Sequence, residues 1–457
     1  MTTHAIILAA GKGTRMRSER PKVLHEVIDK PMLRWVTDAV GDAGIVRRVV
    51  VAGHQSEDVI AALPDGVESV VQQPQLGTGH AVVVALEHLD GIDPEDTVLV
   101  CYGDHPLVPA DRYRELAERS SGNAVVLTTV DPTPTSFGRV IRDNGEIVGI
   151  VEKDDATPEQ AAISEGNAGM YAFRAADLIE ALSGLDDHNA QGELYLTDTV
   201  GILAAQGRPV SSVAADPIEM LGVNSQSELA VTTRHLRERI NGALMDSGVI
   251  IDDPDRTQVG SDVIVEPGAI LRPGVYLRGR SRVSAGAQVG PDVTCIDSSI
   301  GRNSLVWYSV LRGATVGADC EVGPYASLRP EAVLEDGSKA GTFVEIKKST
   351  IGPGAKVPHL SYIGDATIGA DANIGAGTIT CNYDGIAKHK TEIGKNAFIG
   401  SDTMLVAPVK IGDGAVTGAG SVITEDVEAE ALSLERSPQK HIPGYARKRK
   451  ANKSSED

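Results

Sequence analysis

Small aliphatic residues recur every six positions through the second half of the chain, from Val259 to about Val427. A period of six fits neither an amphipathic helix, which repeats every 3.6 residues, nor a half-buried strand, which repeats every two. It fits a solenoid in which each six-residue unit forms one short strand with one inward aliphatic side chain, and three units close a coil of about eighteen residues. Three such series are Ile393, Ile399, Leu405 and Ile411; Val310, Val316, Val322 and Leu328; and Ile351, Val357 and Ile363.

Glycine often follows the inward aliphatic residue, as in Val316-Gly317, Ile351-Gly352 and Ile399-Gly400. We expect these glycines to permit a positive φ at a corner of the coil. The span has room for roughly nine coils. It resembles the left-handed parallel β-helix of the hexapeptide-repeat acyltransferases. A sandwich of short strands is the alternative, and it is disfavoured because a sandwich does not keep one phase for so long.

The first half alternates short apolar runs with helical patterns. Strands are predicted over 5–9, 49–52, 70–71 and 97–101, and helices over 57–63 and 81–89. This alternation predicts a doubly wound α/β sheet. Ligands bind at the carboxyl ends of the strands in such sheets, so chemistry is expected where the predicted strands end.

A glycine loop follows the first predicted strand. Gly11-Lys12-Gly13-Thr14-Arg15-Met16 is neither a dinucleotide fingerprint nor a Walker A loop, because the third glycine and the Gly-Lys-Thr/Ser ending are missing. Two glycines still let backbone amides approach an anion, and Arg15 and Lys22 add positive charge. Asp104 follows another strand at the same edge, where it could be a ligand-binding carboxylate or only the cap of the next helix.

A linker helix is predicted between the halves. Ser225-Gln226-Ser227-Glu228 has the pattern of a capping box. The helix that it opens carries one apolar face and is stopped by Gly248; the face consists of Leu229, Leu236, Ile240 and Leu244. We expect domains over 1–228 and 251–457, joined by a connecting helix over 229–250.

Composition limits the classes of binding partner that this chain can have. The chain has 457 residues and a net charge of −20, which argues against nucleic acid or an anionic membrane as a partner. The basic run 447–450 is expected to be a solvated, disordered terminus. Four cysteines without metal spacing are expected to be reduced and buried in a cytoplasmic protein; they are Cys101, Cys295, Cys320 and Cys381. The apolar run 5–10 is short and has no positive region before it, and no run is long enough to span a bilayer, so we expect neither a signal peptide nor a membrane span.

Polar residues that interrupt the repeat are the candidates for chemistry in the second half. They include Arg329, the run 345–348, the run 359–362, Asn373, and the run 381–385 with Lys388. A surface histidine is ordinary by itself. A histidine one coil from a lysine pair is more suggestive, because acylation of an amine needs a base and a phosphorylated substrate needs cations.

Several motifs resemble those of the sugar-1-phosphate nucleotidylyltransferases. The stretch 8–16 with Pro21-Lys22 carries the first likeness, and Gln72-Gln73 with 76–81 narrows it to the uridylyl-transferring branch. Tyr102-Gly103-Asp104, Gly138-Arg139, Glu152-Lys153 and Asn167-Ala168-Gly169 then match in order. Together with the β-helix, the chain resembles the bifunctional GlmU family, which joins N-acetylglucosamine-1-phosphate uridyltransferase to glucosamine-1-phosphate acetyltransferase. The likeness fails only in the last ~20 residues.

The resemblance implies a chemistry for the first half. N-acetylglucosamine-1-phosphate attacks the α-phosphorus of UTP and pyrophosphate leaves; the nucleophile is already an anion, so no general base is needed. Asp104 and Asn224 are implied to hold one or two Mg²⁺ ions, with Arg15 and Lys22 as catalytic cations. The implied UTP and sugar residues are Leu8, Ala9, Gly11, Gly13, Lys22, Gln72, Gly77, Thr78, Tyr102, Gly103, Asp104, Gly138, Glu152, Asn167 and Asn224.

For the second half, the resemblance implies that His359 is the base that takes a proton from the amine of glucosamine-1-phosphate as it attacks acetyl-CoA. The implied sugar-phosphate residues are Arg329, Glu345, Lys347, Tyr362, Asn373 and Lys388. The implied acetyl-CoA residues are Ala376, Asn382, Tyr383, Ser401, Ala419 and Arg436. The product would be UDP-N-acetylglucosamine, a precursor of peptidoglycan and lipopolysaccharide, made by a homotrimer that shares its acetyl-transfer sites between subunits.

Two other functions remain open at this point. The chain could be a regulatory nucleotidyltransferase-like protein whose β-helix only oligomerises, or a single-activity sugar-1-phosphate nucleotidyltransferase whose β-helix is structural. Neither would need His359, the lysine pair at 347–348 or the Asn382-Tyr383 loop, all of which are present.

Overall fold

The computed structural model describes residues 1–120, 122–130 and 137–453. The chain forms two compact units, Met1–Arg239 and Ile240–Asp457, and the division falls inside the helix Gln226–Asp246. The predicted limits of 1–228, 229–250 and 251–457 stay a prediction, and residues 454–457 of the last range lie outside the described residues.

The first unit is built on one mixed sheet in the order β11-β7-β10-β6-β1-β4-β5, with β8 and β9 attached at β10. Its strands are β1 Thr3–Ala9, β2 Glu26–Val27, β3 Lys30–Pro31, β4 Arg47–Ala52, β5 Glu68–Val71, β6 Thr97–Tyr102, β7 Ala124–Val130, β8 Arg139–Asp143, β9 Glu146–Val151, β10 Glu165–Arg174 and β11 Val210–Ala215. The pair β2–β3 forms a separate small sheet. Strand β10 runs antiparallel to both of its neighbours, β6 and β7, so the sheet is not wholly parallel.

Helices cover both faces of this sheet. They are α1 Met32–Asp42, α2 Ser56–Ala61, α3 Thr78–His88, α4 Ala110–Arg119, α5 Pro158–Ala161, α6 Ala175–Leu182, α7 Asp198–Ala205 and α8 Gln226–Asp246. One apolar core takes residues from α1, α2 and α4, and a second takes residues from α3, α6 and α7. Alternate side chains of a strand point to opposite faces, so β1 sends Ile7 into the first core and Ile6 into the second. The doubly wound α/β prediction is confirmed, as are the six predicted elements to within a few residues.

The second unit is a left-handed parallel β-helix with three long sheets of two- to four-residue strands. The first sheet has Ile250–Ile251, Ile270–Leu271, Gln288–Val289, Leu305–Val306, Glu321–Val322, Lys339–Thr342, Lys356–His359, Asn373–Ile374, Phe398–Ile399, Val416–Thr417 and Leu432–Ser433. The second has Gln258–Val259, Tyr276–Arg278, Thr294–Ile296, Val310–Arg312, Ser327–Leu328, Glu345–Lys347, Tyr362–Gly364, Ile379–Cys381, Met404–Val406 and Val422–Ile423. The third has Ile264–Val265, Arg282–Val283, Ser299–Ile300, Thr315–Val316, Ala332–Leu334, Ser349–Ile351, Ala366–Ile368, Thr391–Ile393 and Val409–Ile411.

These sheets hold eleven, ten and nine strands, so the β-helix is slightly longer than the predicted nine coils. The inward aliphatic residues form one continuous core along the axis. Ten of the eleven residues in the three predicted series are buried, but Val310 is 36% exposed. Leu311 takes the inward position instead, because the coil is shortened there and Val306, Leu311 and Val316 follow one another at intervals of five.

The expected reason for the glycines after the aliphatic residues is wrong. Gly317, Gly352, Gly375 and Gly400 do not have positive φ values. A Cβ atom on Gly400 would lie 2.5 Å from Ala419 N and Thr417 O on the next coil. These positions are glycine because the backbones of successive coils approach closely there. The positive φ falls at the corner itself, three residues beyond the inward aliphatic, as at Gly354.

Two smaller expectations need correction. All four cysteines are free, but Cys381 is only partly buried, because it lies at the end of a strand that leads into a surface loop. The basic terminus is helical rather than disordered: the exposed helix α9, Tyr445–Lys453, includes the run 447–450. None of the described helices is long and apolar enough to cross a membrane.

Candidate active sites

A cleft opens in the first unit where its strands end. One cavity of about 500 Å³ is lined by the glycine loop and the start of α3, and a second of about 470 Å³ is lined by the β8–β9 hairpin and β10. Both are lined by Arg15, Tyr102, His105 and Asn224, so they form one cleft with two compartments. A nucleotide and a second substrate could therefore meet at these four residues.

Asp104 lines the first compartment, in contact with the shared residue His105, and is 8% exposed. Its Oδ2 accepts a hydrogen bond from Lys22 Nζ at 2.5 Å, and its Oδ1 accepts one from His105 Nδ1 at 2.9 Å. Burial by itself would raise the pKa of Asp104, but the positive charge of Lys22 and the contacts with His105 hold it well below its usual value. The carboxylate is therefore ionised and fixed at both oxygens.

Asn224 joins the same centre. Lys22 Nζ donates to Asn224 Oδ1 at 3.0 Å, so a carboxylate oxygen and an amide oxygen converge on one cationic point. The helix α8 begins two residues after Asn224, at Gln226. Ser225 Oγ accepts a hydrogen bond from the amide of Glu228 at 3.3 Å, as in a capping box. The return bond differs from that motif, because Glu228 Oε2 accepts from the amide of Asn224, at 2.7 Å, and not from the amide of Ser225. The helix cap therefore holds the backbone of Asn224.

Glycines shape the loop around Lys22. Gly13 has a left-handed φ of 58°, and a Cβ atom there would lie 2.6 Å from Lys22 Cβ. Gly11 is different, because a Cβ atom there would meet nothing within 4 Å of the protein. Packing within the protein therefore gives no reason for glycine at 11, whereas close approach of a ligand to its amide does.

The first compartment contains a buried polar side chain that could recognise a ligand. Gln72 is 4% exposed, and its Nε2 donates to Gly77 O at 2.9 Å and lies 3.1 Å from His80 Nδ1. Gly77 has φ of 106°, and a Cβ atom there would lie 2.6 Å from Leu194 O. Thr78 starts α3 and accepts a hydrogen bond from the amide of Leu196 at 3.0 Å. Because Nε2 of Gln72 is engaged inside the protein, its oxygen is the group left for a ligand.

The second compartment is made by the β8–β9 hairpin. The hairpin brings its two ends together, so that a Cβ atom on Gly138 would lie 3.4 Å from Glu152 Oε2. Burial raises the pKa of Glu152, and Thr197 Oγ1 donates to its Oε1 at 3.1 Å. Asn167 donates its amide to Tyr171 Oη at 2.7 Å and accepts from the amide of Gly169 at 3.0 Å. The Asn167 side chain is thus held by the protein and shapes this wall.

The structure brings most of the predicted residues of the first half into this cleft. Gly13 and Gly103 do not line it: Gly13 packs on Lys22, and the amide of Gly103 bonds Leu8 O at 2.9 Å behind the cavity. The polar lining residues of the first compartment that were not predicted are Gln75, His105 and Glu193. The position of His105 directly after Asp104 was the one available signal for it.

The described residues contain no group of three or more His, Cys, Asp and Glu side chains that could enclose a metal. Mg²⁺ does not need such a cage, since it is commonly held by one or two carboxylate or amide oxygens together with substrate phosphates. Asp104 Oδ2 and Asn224 Oδ1 meet that requirement, because both already face one positive charge, Lys22 Nζ.

The candidate residues of the second unit lie on open surfaces, apart from Asn382, which is 6% exposed. Lys347 and Tyr362 point outward from the second sheet. Arg329 Nη1 donates to Glu345 Oε1 on the adjacent coil at 2.7 Å. The side chain of Lys388 lies beside Lys347, which lowers the pKa of Lys388. Two neighbouring ammonium groups favour an anion such as a phosphate.

A row of predicted residues runs along one corner of the β-helix. The row consists of His359, Ala376, Ser401 and Ala419. The carbonyls of the first three accept hydrogen bonds from amides on the next coil, at 3.3, 2.6 and 2.8 Å. Arg436 Nη1 donates to Ala419 O at 2.8 Å at the far end. With coils about 4.8 Å apart, the row extends roughly 14 Å from the histidine, which suits a long, narrow ligand.

The remaining predicted residues, Asn382, Tyr383 and Asn373, lie in three places. Asn382 Nδ2 donates to Asp365 Oδ2 at 2.5 Å, and a Cβ atom on Gly364 would lie 2.7 Å from this nitrogen and 2.5 Å from Tyr362 Oη. Asn382 and Tyr362 are therefore neighbours. Tyr383 is 61% exposed and bonds Gly385 O within its own loop, while Asn373 lies on the first sheet beside Lys356 and Phe398.

An exposed apolar ridge leads up to His359, and the sequence analysis did not find it. The ridge consists of Tyr308, Tyr325, Phe343 and Leu360, which are 40–61% exposed and all have positive φ. Ring centroids are 5.7 Å apart between Tyr308 and Tyr325 and 5.4 Å apart between Tyr325 and Phe343. Left-handed φ ordinarily selects glycine, asparagine or aspartate. Four apolar residues there point to a function outside the coil.

Fold and sites together define the class: a nucleotidyltransferase domain followed by a hexapeptide-repeat transferase. Residues 5–195 match the MobA-like NTP transferase domain family, and residues 390–425 match the bacterial transferase hexapeptide (six repeats) family.

Curated relatives then identify the family. "Bifunctional protein GlmU" of Desulfitobacterium hafniense (strain DSM 10664 / DCB-2) is 45% identical over 450 residues, covering 98% of this chain and 99% of the relative. "Bifunctional protein GlmU" of Alkalilimnicola ehrlichii is 47% identical over 446 residues, covering 97% and 96%. The chain belongs to the bifunctional GlmU family, which combines uridyltransferase and acetyltransferase activities.

Proposed function

We propose that the two units perform the two steps that convert glucosamine-1-phosphate into UDP-N-acetylglucosamine. The β-helix transfers the acetyl group of acetyl-CoA to the amine of glucosamine-1-phosphate. The α/β unit then joins the product to UTP and releases pyrophosphate. The observation that carries the proposal is the convergence of Asp104, Asn224 and Lys22 in the first compartment of a cleft whose second compartment also reaches Asn224.

In uridylyl transfer, the sugar phosphate attacks the α-phosphorus of UTP, and the bond to the β-phosphate oxygen breaks. Bringing two polyanions together is the main difficulty, and Lys22, Arg15 and the amides of the glycine loop counter it with positive charge. Asp104 and Asn224 would hold Mg²⁺, which when bound neutralises phosphate charge. The free oxygen of Gln72 accepts the N3–H of uracil, and the wall of Gly138, Glu152 and Asn167 contacts the sugar.

In acetyl transfer, the amine nitrogen attacks the thioester carbonyl of acetyl-CoA. His359 takes the proton lost from nitrogen as the C–S bond breaks, and that proton then passes to the departing sulfur, so that coenzyme A leaves as its thiol. Neutral imidazole is suited to this near pH 7. Arg329, Lys347 and Lys388 bind the sugar phosphate, and Glu345, Tyr362 and Asn373 bind the sugar. The coenzyme arm follows Ala376, Ser401 and Ala419 towards Arg436, with Asn382 and Tyr383 near the acetyl end.

The acetyl-transfer site is shared between subunits of a homotrimer in this proposal. The candidate residues lie on exposed faces and on a projecting loop, where one prism cannot enclose a coenzyme. The apolar ridge ends at Leu360, directly after His359, so a second copy packed on the ridge would also form a wall beside the base. Closed cyclic symmetry is the usual way to repeat such a contact. A cytoplasmic location stays a prediction, and the four free cysteines fit it.

The proposed function is tested with purified protein and two assays. Wild-type protein should release free coenzyme A when given acetyl-CoA and glucosamine-1-phosphate, and pyrophosphate when given UTP, N-acetylglucosamine-1-phosphate and Mg²⁺. Asp104→Asn should raise the activation barrier of uridylyl transfer by several kcal/mol and leave acetyl transfer unchanged. Equal loss of both activities would show that Asp104 is structural, and absence of coenzyme A release would favour a merely structural β-helix.

The shared site is tested by complementation. His359→Ala and Lys388→Ala proteins are each expected to be nearly inactive in acetyl transfer. After the two are unfolded and refolded together, mixed trimers should contain some grooves without either change, and part of the activity should return. If mixed trimers form and the activity stays absent, both residues serve one subunit and the shared-site proposal is wrong.

A further inference from the structure

We propose that His105 is a positioning residue for uridylyl transfer: it orients both oxygens that would hold Mg²⁺, those of Asp104 and Asn224. The inference rests on the proposed function, because it concerns the metal of that reaction. His105 itself contacts neither phosphate nor metal in this proposal.

The first contact fixes the carboxylate. His105 Nδ1 donates to Asp104 Oδ1 at 2.9 Å, while Lys22 holds the other oxygen. The side chains of His105 and Asp104 are 13% and 12% exposed, so water competes weakly for this hydrogen bond. A carboxylate held at Oδ1 by a ring nitrogen cannot rotate freely, and its Oδ2 therefore keeps its direction towards Lys22 Nζ.

The second contact fixes the amide. A Cβ atom on Gly222 would lie 3.0 Å from both Cε1 and Nε2 of His105, so the imidazole packs directly on this backbone. Gly222 O in turn accepts from Asn224 Nδ2 at 3.3 Å, which turns Asn224 Oδ1 towards Lys22. The next amide, that of Val223, bonds Asp104 O at 3.0 Å. One ring thus supports the backbone that sets the second oxygen.

The place of the ring in the cleft supports a functional role. His105 lines both compartments and lies 5.8 Å, between centroids, from the ring of Tyr102. A residue needed only to fill space at this position would not require a polar donor. Partners that orient metal ligands typically change metal affinity or activity by about 10- to 100-fold when they are removed.

The test uses the full chain with His105→Val, which removes the donor, and His105→Asn, whose amide nitrogen can take the place of Nδ1. Mn²⁺ binding in the presence of UTP is measured by electron paramagnetic resonance, and uridylyl transfer is titrated with Mg²⁺. His105→Val should weaken Mn²⁺ binding and raise the half-maximal Mg²⁺ concentration, each by about 10-fold or more. His105→Asn restores the donor to Asp104 but not the ring contact with Gly222, so it should restore part of both.

Two further variants complete the design. His188→Val is the matched control, because His188 also pairs with a neighbouring aspartate, Asp186, but its side chain is 87% exposed; it should behave as wild type. Gly222→Ala presses a methyl group against the ring of His105 and should weaken Mn²⁺ binding in the same direction. If His105→Val fails to fold, Gly222→Ala and His105→Asn carry the test, with acetyl transfer in the same sample reporting an intact second unit.

The outcomes separate the inference from the function on which it rests. Wild-type Mn²⁺ affinity in His105→Val and Gly222→Ala, together with loss of binding in Asp104→Asn, would overturn the role of His105 and leave the proposed function standing. Absence of Mg²⁺-dependent uridylyl transfer in the wild type would overturn the proposed function itself.

Discussion

The two candidate sites of this chain are built in opposite ways. In the first unit, Asp104 and Gln72 are 8% and 4% exposed, and all their partners come from the same unit. In the second unit, His359, Arg329 and Lys388 are exposed on a convex prism. A doubly wound sheet forms a cleft where its strands end, whereas a β-helix has only flat sides and corners. The comparison supports the proposal that the first fold completes a site alone and that the second needs another surface.

Electrostatics show the same contrast. The charge of Asp104 is balanced inside the cleft by Lys22 and His105, which hold its pKa well below the usual value. In the β-helix, Lys347 and Lys388 lie side by side, and their repulsion lowers the pKa of Lys388. The first site is electrostatically satisfied before substrate arrives. The lysine pair of the second site favours the binding of an anion.

Separating the units should have the largest effect. A protein of residues 1–239 keeps the two cores of its sheet and the contact of Arg239 with Leu107 O, so we expect it to fold and to transfer uridylyl groups at nearly the full rate. It should have no acetyl transfer. Pyrophosphate and coenzyme A release measure both results, and a folded but inactive fragment would show that the first site is not self-contained.

Removing the proposed base should have the next largest effect. We expect His359→Ala to lower the rate of acetyl transfer by about 10²- to 10⁴-fold, because proton transfer from the amine loses its acceptor. Uridylyl transfer in the same sample should be unchanged, since His359 belongs to the other unit. Acetyl transfer that survives within a few-fold would assign the base to another group.

Disturbing the coil stack should have a smaller effect. Gly400→Ala places a Cβ atom 2.5 Å from backbone atoms of the next coil, and we expect it to lower the stability of the β-helix by about 1–3 kcal/mol. Gly242→Ala is the matched control, because a Cβ atom there meets nothing within 4 Å and alanine favours the helix by up to about 1 kcal/mol. Calorimetric unfolding distinguishes them, and equal transitions would contradict the close-packing account of these glycines.

The sequence predicts the architecture well because period and alternation are local signals. The three inward series identified the β-helix, and only Val310 was assigned inward wrongly. The reason is that coil length varies along the chain. Val316 pairs with Ile300, sixteen residues earlier, whereas Ile393 pairs with Ile368, twenty-five residues earlier. The same variation hides the corners from the sequence. A fixed repeat length could not reveal the apolar ridge, because its members are separated by seventeen residues at some steps and eighteen at another.

Prediction of the candidate sites was less complete, for a related reason. The motifs placed Asp104 and Asn224 at strand and helix ends, but the contact of His105 with Gly222 joins positions more than a hundred residues apart. Such contacts depend on tertiary packing, which no local pattern encodes. The row from His359 to Ala419 likewise follows from hydrogen bonds between coils.

The central claim is that one site is complete within its unit and the other requires a second copy packed on the apolar ridge. The most direct measurement uses Tyr325→Asp combined with Phe343→Asp, since aspartate tolerates the left-handed φ of 60° and 56° at these positions. Ile264→Asp, at an exposed apolar position away from the ridge, is the control. The account predicts a monomer by light scattering that retains uridylyl transfer and has lost acetyl transfer. A monomer that still transfers acetyl groups at the wild-type rate would contradict it.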